Sequence, residues 1–323
     1  MLQKTVKVKD GAVAEKKAKT GFFHEMKANG PLYLIMLPGI LFFIVFHYIP
    51  MGGLVIAFQD FKIIAGIFGS PFVGLANFKY LLTTNFEYLV MVIKNTLLLN
   101  VLFITFSTMF AVVLAIMFSE IKQKHVKKIA QTISILPYFI SWTVIALFLE
   151  AFLKTDGGMF SMWLAEIGYP ISFYSDPTVW VALLVFLKIW QGAGYLAIVY
   201  IATITGIDTG IYEAATIDGA NRWQQILYLT IPILRPTIIL MTLFSVGRIF
   251  NGDFGMIYGL IGDNSLLYST TDVIDTYVYR MMRTMGNYSM SSALGMIQSV
   301  VGMAFVLTAN MLTKKFEPEA AIF

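Results

Sequence analysis

Cysteine is absent from this sequence, and histidine and charged residues are scarce. The lack of cysteine excludes disulfides, thiol catalysis and cysteine-ligated metals within the chain. The three histidines, His24, His47 and His125, lie far apart, which argues against a histidine-based metal site. Only 13% of the residues are charged and 58% are hydrophobic, whereas soluble domains carry about 25% charged residues. With a mean hydropathy of +0.74, the composition indicates a membrane protein.

Six stretches are apolar and long enough to cross a bilayer as helices, each of which needs about 20 residues. They lie at roughly 32–58, 89–118, 130–153, 178–205, 231–250 and 292–313. Proline and glycine within them are tolerated in membrane helices. The sequence therefore predicts an all-α integral membrane protein with six transmembrane helices, preceded by a basic tail at 1–30 and occupying 31–323 as one transmembrane domain.

Lysine and arginine are unevenly divided between the two sides of these predicted spans. If the tail lies inside, the inner connections and termini hold fourteen of them and the outer connections hold five. Such residues accumulate on the cytoplasmic side of membrane proteins, so both termini and the connection 206–230 are predicted to be cytoplasmic. The tail is not the start of a signal peptide, because the run 32–58 exceeds a signal core of about 7–15 residues. A short surface helix around Phe22–Met26 and a nucleic-acid-binding tail are alternatives, and nothing in the sequence favours the latter.

The polar stretch Tyr212–Pro236 leaves one predicted span and returns into the next. Asp208 or Thr209 is a suitable N-cap for a short helix, which would place Glu213 in the first turn. Ala214-Ala215 are strong helix formers with small side chains, and Asp218-Gly219 is a turn signal. A second, amphipathic helix is expected from Asn221, with its apolar side chains and the prolines of the membrane re-entry as follows: Trp223, Ile226, Leu227, Pro232 and Pro236.

This stretch resembles the EAA motif of ABC importer permeases, which is Glu-Ala-Ala, three residues, Gly, nine residues, then Ile-x-Leu-Pro. The matching residues are Glu213-Ala214-Ala215, Gly219 and Leu229-Thr230-Ile231-Pro232, with Leu and Ile exchanged. The "IDGA" after EAA is similar to the carbohydrate-uptake branch of the family. The stretches LYLIMLPGILFFIVFHYIPMGGLVIAFQDFK and GSPFVGLANFKYL, with KNTL from Lys94, resemble the LplB-like oligosaccharide permeases.

The resemblance implies a type I ABC importer permease in the bacterial cytoplasmic membrane, importing oligosaccharides that an extracytoplasmic sugar-binding protein delivers. The partners it implies are two cytoplasmic ATPase subunits, a second and different permease subunit, and membrane lipid, with no nucleic acid. The chain has no Gly-x-x-x-x-Gly-Lys-Ser/Thr phosphate loop, so ATP and Mg²⁺ are assigned to the ATPases, and the chain itself is not an enzyme. The residues implied to couple it to an ATPase are Tyr212, Glu213, Ala214, Ala215, Asp218, Gly219, Ala220 and Pro232.

Charged residues within the apolar stretches indicate the route of the substrate. A charge in a membrane helix costs roughly 2.5–3.5 kcal/mol on insertion scales, and it usually faces a partner or a cavity. Aromatic rings can stack on sugar C–H faces while polar groups bind hydroxyls. The predicted path residues are Lys94, Asn95, Trp142, Lys188, Trp190, Gln191, Tyr195, Arg248, Asn251 and Asp253. Three cations among them suggest an acidic sugar such as a uronide, although the sequence leaves neutral oligosaccharides open.

The third outer connection contains a periodic stretch that predicts a short helix outside the membrane. Val273, Tyr277, Met281 and Met285 recur at helical spacing, with Asp272 or Thr271 as a start signal. The helix could be a packed cap or a docking surface for an external partner. Six helices would also fit a secondary transporter or channel for a small polar solute, without an ATPase. The lack of an internal repeat with paired broken helices argues against that alternative, as does the EAA loop.

Overall fold

The computed structural model describes residues 29–154 and 157–316. These residues form helices and connections, and no β-strand occurs among them apart from a single bridge between Gln59 and Phe72. The predicted all-α fold is therefore confirmed for this part of the chain. The basic tail and the surface helix predicted around Phe22–Met26 lie outside the described residues.

The main helices follow one another without intervening sheet. They are α1 (Gly30–Phe43), α2 (Ala76–Thr83), α3 (Phe86–Glu120), α4 (Lys124–Ile135), α5 (Trp142–Leu153), α6 (Met159–Glu166), α7 (Pro177–Thr205), α8 (Thr209–Ile217), α9 (Arg222–Val246), α10 (Phe254–Ile261), α11 (Ile274–Arg283) and α12 (Tyr288–Phe316). Shorter helical turns lie at Ile49–Met51, Gly66–Gly69 and Tyr268–Thr271, 3₁₀ turns at Gly52–Phe58, Leu136–Phe139 and Ser265–Leu267, and π turns at Ile44–Tyr48 and, within α9, at Ile226–Thr230.

The chain divides into two compact units, residues 1–53 and 54–323. In the first unit, α1 continues through the π turn and Ile49–Met51, and its apolar side chains are exposed all the way round. A helix that is apolar on every face is suited to a membrane rather than to water. Gly30–Phe58 is long and apolar enough to cross a bilayer, close to the predicted 32–58.

Four further helices have the length and composition of membrane spans: Phe86–Glu120, Pro177–Thr205, Arg222–Val246 and Tyr288–Lys315. The stretch predicted as a single span at 130–153 is instead two helices, α4 and α5, at 92° to each other. Pro137 lies in the 3₁₀ turn between them, Ile140 and Ser141 are extended, and Ser141 caps α5 by accepting from Val144 N. Residues 29–154 and 157–316 therefore contain five candidate spans, or six if the bent pair counts as one.

The second unit is centred on the pairing of α3 with α7. Small residues line their contact, which lets two helix backbones approach closely as in other membrane bundles. They are Ala111 and Ala115 on α3 and Ala193 and Ala197 on α7, all buried. Gly194 belongs to the same stretch of α7 and lies under α4, where an added Cβ would come within 1.9 Å of the Ser134 carbonyl oxygen. Only glycine fits there.

The short helix α11, which the sequence predicts to lie outside the membrane and which we call the outer helix, packs into the second unit rather than standing free. Ile274, Tyr277 and Met281 are buried against α3 and α12, whereas Met285 is exposed. The N-cap is Val273, one residue after Asp272 and two after Thr271, and the Asp272 side chain accepts instead from Thr276 and Arg280. Of the two sequence interpretations of this helix, the structure has the packed one.

Candidate helical hairpin and membrane cavity

The α8 helix begins where the sequence placed an N-cap. Asp208 caps it, with Oδ1 accepting from Gly210 N at 2.9 Å. Because the helix starts at Thr209, Glu213 lies in the second turn and not in the first turn as predicted. Its carboxylate is exposed, so the contribution expected from the helix dipole is small beyond the first turn.

The turn after α8 depends on a left-handed glycine. Gly219 has φ +84°, and Ala220 N donates to the Ala215 carbonyl at 2.9 Å, which closes the helix end. An added Cβ at Gly219 would meet no atom within 4 Å. A side chain would therefore have room at this position. Glycine is required instead by the backbone conformation, because a positive φ is strained for other residues.

The inner side of the hairpin, residues 208–230, is tied together by side-chain hydrogen bonds. Gln225 is buried, and its Nε2 donates to Thr216 Oγ1 at 2.9 Å and to the Ala220 carbonyl at 3.2 Å. The Tyr212 and Thr230 hydroxyls lie 2.9 Å apart. These bonds fix α8 against the start of α9, so the hairpin is held as one body.

The second helix of the hairpin continues past Pro232 and Pro236, the two prolines that the sequence placed at the re-entry into the membrane. Asn221 and Gln224 form a capping box at its start, and α9 then runs without a break from Arg222 to Val246. Pro232 and Pro236 lie inside this helix rather than at a break between two helices, and the re-entry at this point stays a prediction. The π turn Ile226–Thr230 precedes Pro232, which has no N–H to donate. The hairpin is therefore continuous with a predicted span.

The outer side of the hairpin exposes small, charged and apolar side chains. Glu213 and Ala214 are exposed on α8, and no residue of that helix is buried. Ile217, Trp223 and Tyr228 are 86%, 74% and 74% exposed. Sequence reasoning missed Ile217 and Tyr228 because they occupy positions of the EAA pattern at which no residue type is specified. These three side chains are large apolar groups on the same hairpin as the exposed charge of Glu213.

Two shallow grooves flank the hairpin. One, of about 320 Å³, has Glu120, Glu213 and Arg222 on its wall, and the other, of about 330 Å³, includes Gly219 and Tyr228. The predicted residues Tyr212, Ala215, Asp218 and Ala220 also line one or other of these grooves. The hairpin thus offers a contoured surface rather than a flat one.

A cavity of about 570 Å³ lies between α3, α7 and the segment that joins α9 to α10. It contains four of the ten predicted path residues: Lys188, Arg248, Asn251 and Asp253. Its other walls are Asn100, Phe103, Ile104, Ser107, Thr108, Gly192, Leu196, Ser245, Gly252 and Phe254. The mixture of hydroxyl, amide, charged and aromatic groups can bind a polyhydroxylated ligand.

Two opposite charges meet on the cavity wall. Lys188 Nζ lies 2.6 Å from Asp253 Oδ2, and each side chain is about 70% buried, at 31% and 28% exposed. Asp253 Oδ1 also accepts from Met256 N at 3.1 Å and so caps α10. The pair neutralises two of the charges that the sequence placed on the path. Arg248 is exposed at the cavity and contributes a cation there.

Asn100, on the cavity wall, is hydrogen-bonded to the segment that follows α9. Its Nδ2 donates to the carbonyls of Ile249 and Asn251 at 3.0 and 3.1 Å. An asparagine in an apolar span is itself a signal of function or interhelical bonding, and sequence reasoning passed over it. Phe254 was also missed, because nothing in its surroundings marks one phenylalanine among 27.

The other predicted path residues lie outside the cavity lining. Asn95 is buried and donates to the carbonyls of Ser269 and Asp272, at 3.1 and 3.2 Å. Lys94 and Trp190 are exposed. Trp142 packs on Gly259, and Gln191 Nε2 donates to the Ile140 carbonyl at 3.1 Å. Tyr195 stacks on Tyr138, with ring centroids 4.2 Å apart. Contacts between helices account for Asn95, Trp142, Gln191 and Tyr195, whose role in transport stays a prediction.

The outer helix α11 meets the cavity through Asp275. Its Oδ2 accepts from Gly252 N and, at 3.1 Å, from Gln298 Nε2. Burial raises the pKa of Asp275 above its ordinary value, and these two hydrogen bonds oppose the rise only in part. Among residues 29–154 and 157–316, no group of three or more His, Asp or Glu side chains is arranged to hold a metal ion. The assignment of ATP and Mg²⁺ to other chains stays a prediction.

Comparison with known proteins identifies the family. The sequence model described as "Binding-protein-dependent transport system inner membrane component" matches residues 97–318. Protein LplB of Bacillus subtilis (strain 168) is 35% identical over 91% of this chain and 92% of its own length. The polygalacturonan/rhamnogalacturonan transport system permease protein YteP of the same organism is 33% identical, over 96% of each chain.

The fold is likewise shared with solved transporters. A crystal structure of a bacterial ABC transporter involved in the import of the acidic polysaccharide alginate contains a chain with a TM-score of 0.82 and 33% identity, covering 91% of this chain and 99% of that one. The alginate transporter has also been crystallised with an alginate pentasaccharide-bound periplasmic protein, with a TM-score of 0.81. These relatives are transport subunits rather than enzymes, as the sequence suggested. The chain belongs to the family of binding-protein-dependent transport system inner membrane components, as a multi-pass ABC importer permease of the carbohydrate-uptake branch.

Proposed function

We propose that this chain is the permease subunit of an ATP-driven oligosaccharide importer in a bacterial cytoplasmic membrane, driven through the α8–α9 hairpin. The observation that carries the proposal is the construction of that hairpin. Its inner side is fixed by the Gln225–Thr216 and Tyr212–Thr230 bonds, and its outer side leaves Glu213 and Ala214 exposed. A helix that is hydrogen-bonded to its own chain on one side and exposed on the other is suited to transmit movement from a partner chain.

The orientation in the membrane follows from charge. We place the hairpin and both termini in the cytoplasm, because fourteen of the lysines and arginines lie on that side and five on the other. The bent pair α4–α5 supplies the sixth crossing. The α4 lysines then lie on the cytoplasmic side, together with Arg222 of the hairpin.

The coupling step would transmit motion from an ATPase to the cavity. The α8 helix seats in a groove of the ATPase, where Glu213 pairs with a basic group and Ala214 allows close approach. Trp223 adds apolar contact area. Because α9 is continuous from Arg222 to Val246, movement of the hairpin displaces Ser245 and Arg248 at the cavity wall. ATP and Mg²⁺ bind to the two ATPase subunits and not to this chain.

The partners beyond the ATPases are a second, non-identical permease and an extracytoplasmic sugar-binding protein. The crystal structure of the alginate transporter with its loaded periplasmic protein supports the binding protein by analogy. Large exposed apolar areas on the spans of this chain leave room for lipid and for the second permease.

The substrate that the cavity suits best is an acidic oligosaccharide. Lys188 is matched by Asp253, so the argument from three cations is weaker than the sequence suggested. Arg248 remains a cation on the wall, and a guanidinium binds a carboxylate through two parallel hydrogen bonds. The names of YteP and of the alginate transporter, which both refer to acidic polysaccharides, support the same substrate class.

The coupling proposal is tested with Gly219→Val, which forces a β-branched residue into a left-handed conformation. We expect the variant to insert normally, to lose copurifying ATPase and to abolish ATP-driven uptake. Gly210→Ala is the matched control, because Gly210 does not have a positive φ and alanine favours the helix. Normal uptake by Gly219→Val would contradict the coupling role. Uptake that survives ATP depletion in wild type would instead favour a secondary transporter.

The substrate class is tested with Arg248→Gln and Arg248→Lys in the assembled transporter. We expect Arg248→Gln to lower uptake of an oligogalacturonate about tenfold or more, since hydrogen bonds to charged groups contribute about 1.5–3 kcal/mol. Uptake of a neutral malto-oligosaccharide should change little, and Arg248→Lys should retain part of the uptake. Equal loss for both sugars would contradict an acidic substrate.

A further inference from the structure

An aromatic cluster stands at the mouth of the cavity and takes no part in the hydrophobic core. Phe254 and Tyr258 of α10 lie parallel, with centroids 5.1 Å apart and an interplanar angle of 8°. Tyr279 of α11 closes the group, with its centroid 4.9 Å from Phe254 and 4.8 Å from Tyr258. We call Phe254, Tyr258, Tyr279 and the adjacent Arg283 the outer platform.

Helices α10 and α11 each bury one face in the protein core, and the platform residues lie on their other faces. The core-facing residues are Met256, Ile257, Leu260 and Ile261 on α10 and Ile274, Tyr277 and Met281 on α11, all buried. Phe254, Tyr258 and Tyr279 are only half-buried, and Arg283 is exposed. Aromatic rings that serve packing alone are usually buried with the rest of the core, so the outward placement of these three requires another explanation.

The platform carries polar groups at its edge. Arg283 lies over the Tyr279 ring, with its guanidinium carbon 5.6 Å from the centroid, and Nη1 donates to Tyr279 Oη. Tyr258 Oη donates to Asp263 Oδ2 at 3.3 Å. Flat apolar rings beside hydroxyl, guanidinium and carboxylate groups match a pyranose, which has an apolar C–H face and a polar rim.

The platform and the cavity share a wall. Phe254 follows Asp253 directly and lines the cavity itself. One turn before Tyr279 on α11, Asp275 accepts from the backbone N–H of Gly252, another cavity residue. A chain of sugars longer than the cavity therefore meets the platform next.

We propose that the outer platform is a second sugar-binding site, which holds one pyranose ring of an oligosaccharide whose neighbouring ring occupies the cavity, with Arg283 binding a uronate carboxylate. The proposal rests on the proposed function as a saccharide permease. It assigns Tyr258, Tyr279 and Arg283, which do not line the cavity, to recognition of chain length. A single sugar bound in the cavity can contact Phe254 without reaching these three residues.

The test uses the full-length chain in lipid nanodiscs, with direct binding of tetragalacturonate, maltotetraose and galacturonate. We expect Tyr258→Ala and Tyr279→Ala to weaken tetragalacturonate binding about tenfold each, the size of a lost aromatic contact of about 1.5 kcal/mol. Galacturonate binding should be unchanged. Tyr258→Phe and Tyr279→Phe keep the rings and should retain most of the affinity. Tyr169→Ala, at an exposed tyrosine that is not part of the platform, serves as the control.

Arg283→Gln separates the carboxylate contact from folding, because Arg283 is exposed. We expect it to weaken tetragalacturonate and to spare maltotetraose. Tetrasaccharide binding that is insensitive to the alanine changes and to Arg283→Gln overturns the platform while leaving the cavity proposal intact. A wild-type chain that binds none of the three saccharides overturns the proposed function and the platform with it.

Discussion

Two short helices, α8 and α11, lie in connections between the apolar spans of this protein, and they differ in whether a nearby carboxylate is exposed or buried. The α8 helix has no buried residue and exposes Glu213. The α11 helix buries Ile274, Tyr277 and Met281, and beside it the Asp272 side chain is fully buried against Arg280. In the sequence both helices lie in polar connections. They differ in that the Glu213 carboxylate of α8 is exposed, whereas the Asp272 carboxylate beside α11 is buried.

The comparison shows how the structure separates anchoring from docking. At α11, Asp272 accepts from Tyr88 Oη at 2.6 Å and lies 2.5 Å from Arg280 Nη2, and this network ties α3 to the outer helix. The side-chain bonds described between α8 and α9 join neutral groups, and the Glu213 carboxylate stays exposed. The hairpin therefore keeps a charge at its surface, as the proposed docking requires, whereas α11 is fixed beside the cavity.

Breaking the anchor at α11 should have the largest effect. Arg280→Leu leaves the Asp272 carboxylate buried without its cation, which costs about 3–5 kcal/mol. We expect a large fall in thermal stability and faster proteolysis in detergent. Arg283→Gln, three residues on and at an exposed side chain, is the control and should leave thermal stability nearly unchanged. Equal stability of the two variants would contradict the anchoring role of Arg280.

Removing apolar surface from the hairpin should weaken docking without affecting the fold. Trp223 is 74% exposed, and buried tryptophans are frequent hot spots of interfaces, at about 2 kcal/mol or more. Trp223→Ala should lower the affinity for the ATPase about tenfold or more. A titration of ATPase against the purified permease measures this, with Trp163→Ala, also exposed, as the matched control. Unchanged affinity would remove Trp223 from the docking surface.

Loosening the inner side of the hairpin should separate docking from force transmission. Tyr212→Phe deletes the hydroxyl that meets Thr230 at 2.9 Å, at a cost of about 1 kcal/mol. We expect ATPase binding to persist and the number of sugars imported per ATP to fall. Tyr169→Phe alters an exposed tyrosine elsewhere and should leave that ratio unchanged. A variant that loses binding and coupling together would show that the inner bond supports the docking surface itself.

The smallest effect concerns pH at the outer helix. Burial raises the pKa of Asp275 above its ordinary value of 3.8, so the folded protein holds this proton more tightly than the unfolded chain. Stability should therefore fall as pH rises from 3.8 through the raised pKa, and stay level below 3.8. Asp275→Asn should lack this slope. Thermal unfolding of both proteins across that interval measures the difference, and parallel profiles would contradict a raised pKa.

Sequence reasoning located the hairpin because its signals are local. Asp208 as a cap and Gly219 as a left-handed turn follow from backbone chemistry at single positions. The same reasoning put Glu213 one turn too early, since Asp208 and Thr209 were both acceptable starts. It also gave no sign that 130–153 is broken into two helices, because Pro137 is compatible with a continuous membrane helix; whether the bent pair is one span stays a prediction.

The cavity could be predicted only in part, because its contacts join distant residues. Lys188 and Asp253 were each expected on the path, but nothing in the sequence shows that they pair across 65 positions. Asn95 and Gln191 were chosen for polarity, and in the structure they bond to backbone carbonyls between helices. A polar residue in an apolar helix signals a partner, and only the fold shows whether that partner is substrate or protein.

The claim that α8 is the contact with an ATPase can be tested most directly by cross-linking. Because the chain contains no cysteine, Ala214→Cys introduces a single thiol for a maleimide-linked photoreactive probe in the assembled transporter. Thr84→Cys, exposed near the start of α3 and on the predicted outer side, is the control. The account predicts a covalent adduct with the ATPase subunit from position 214 and none from position 84. No adduct from position 214, or equal adducts from both, would contradict it.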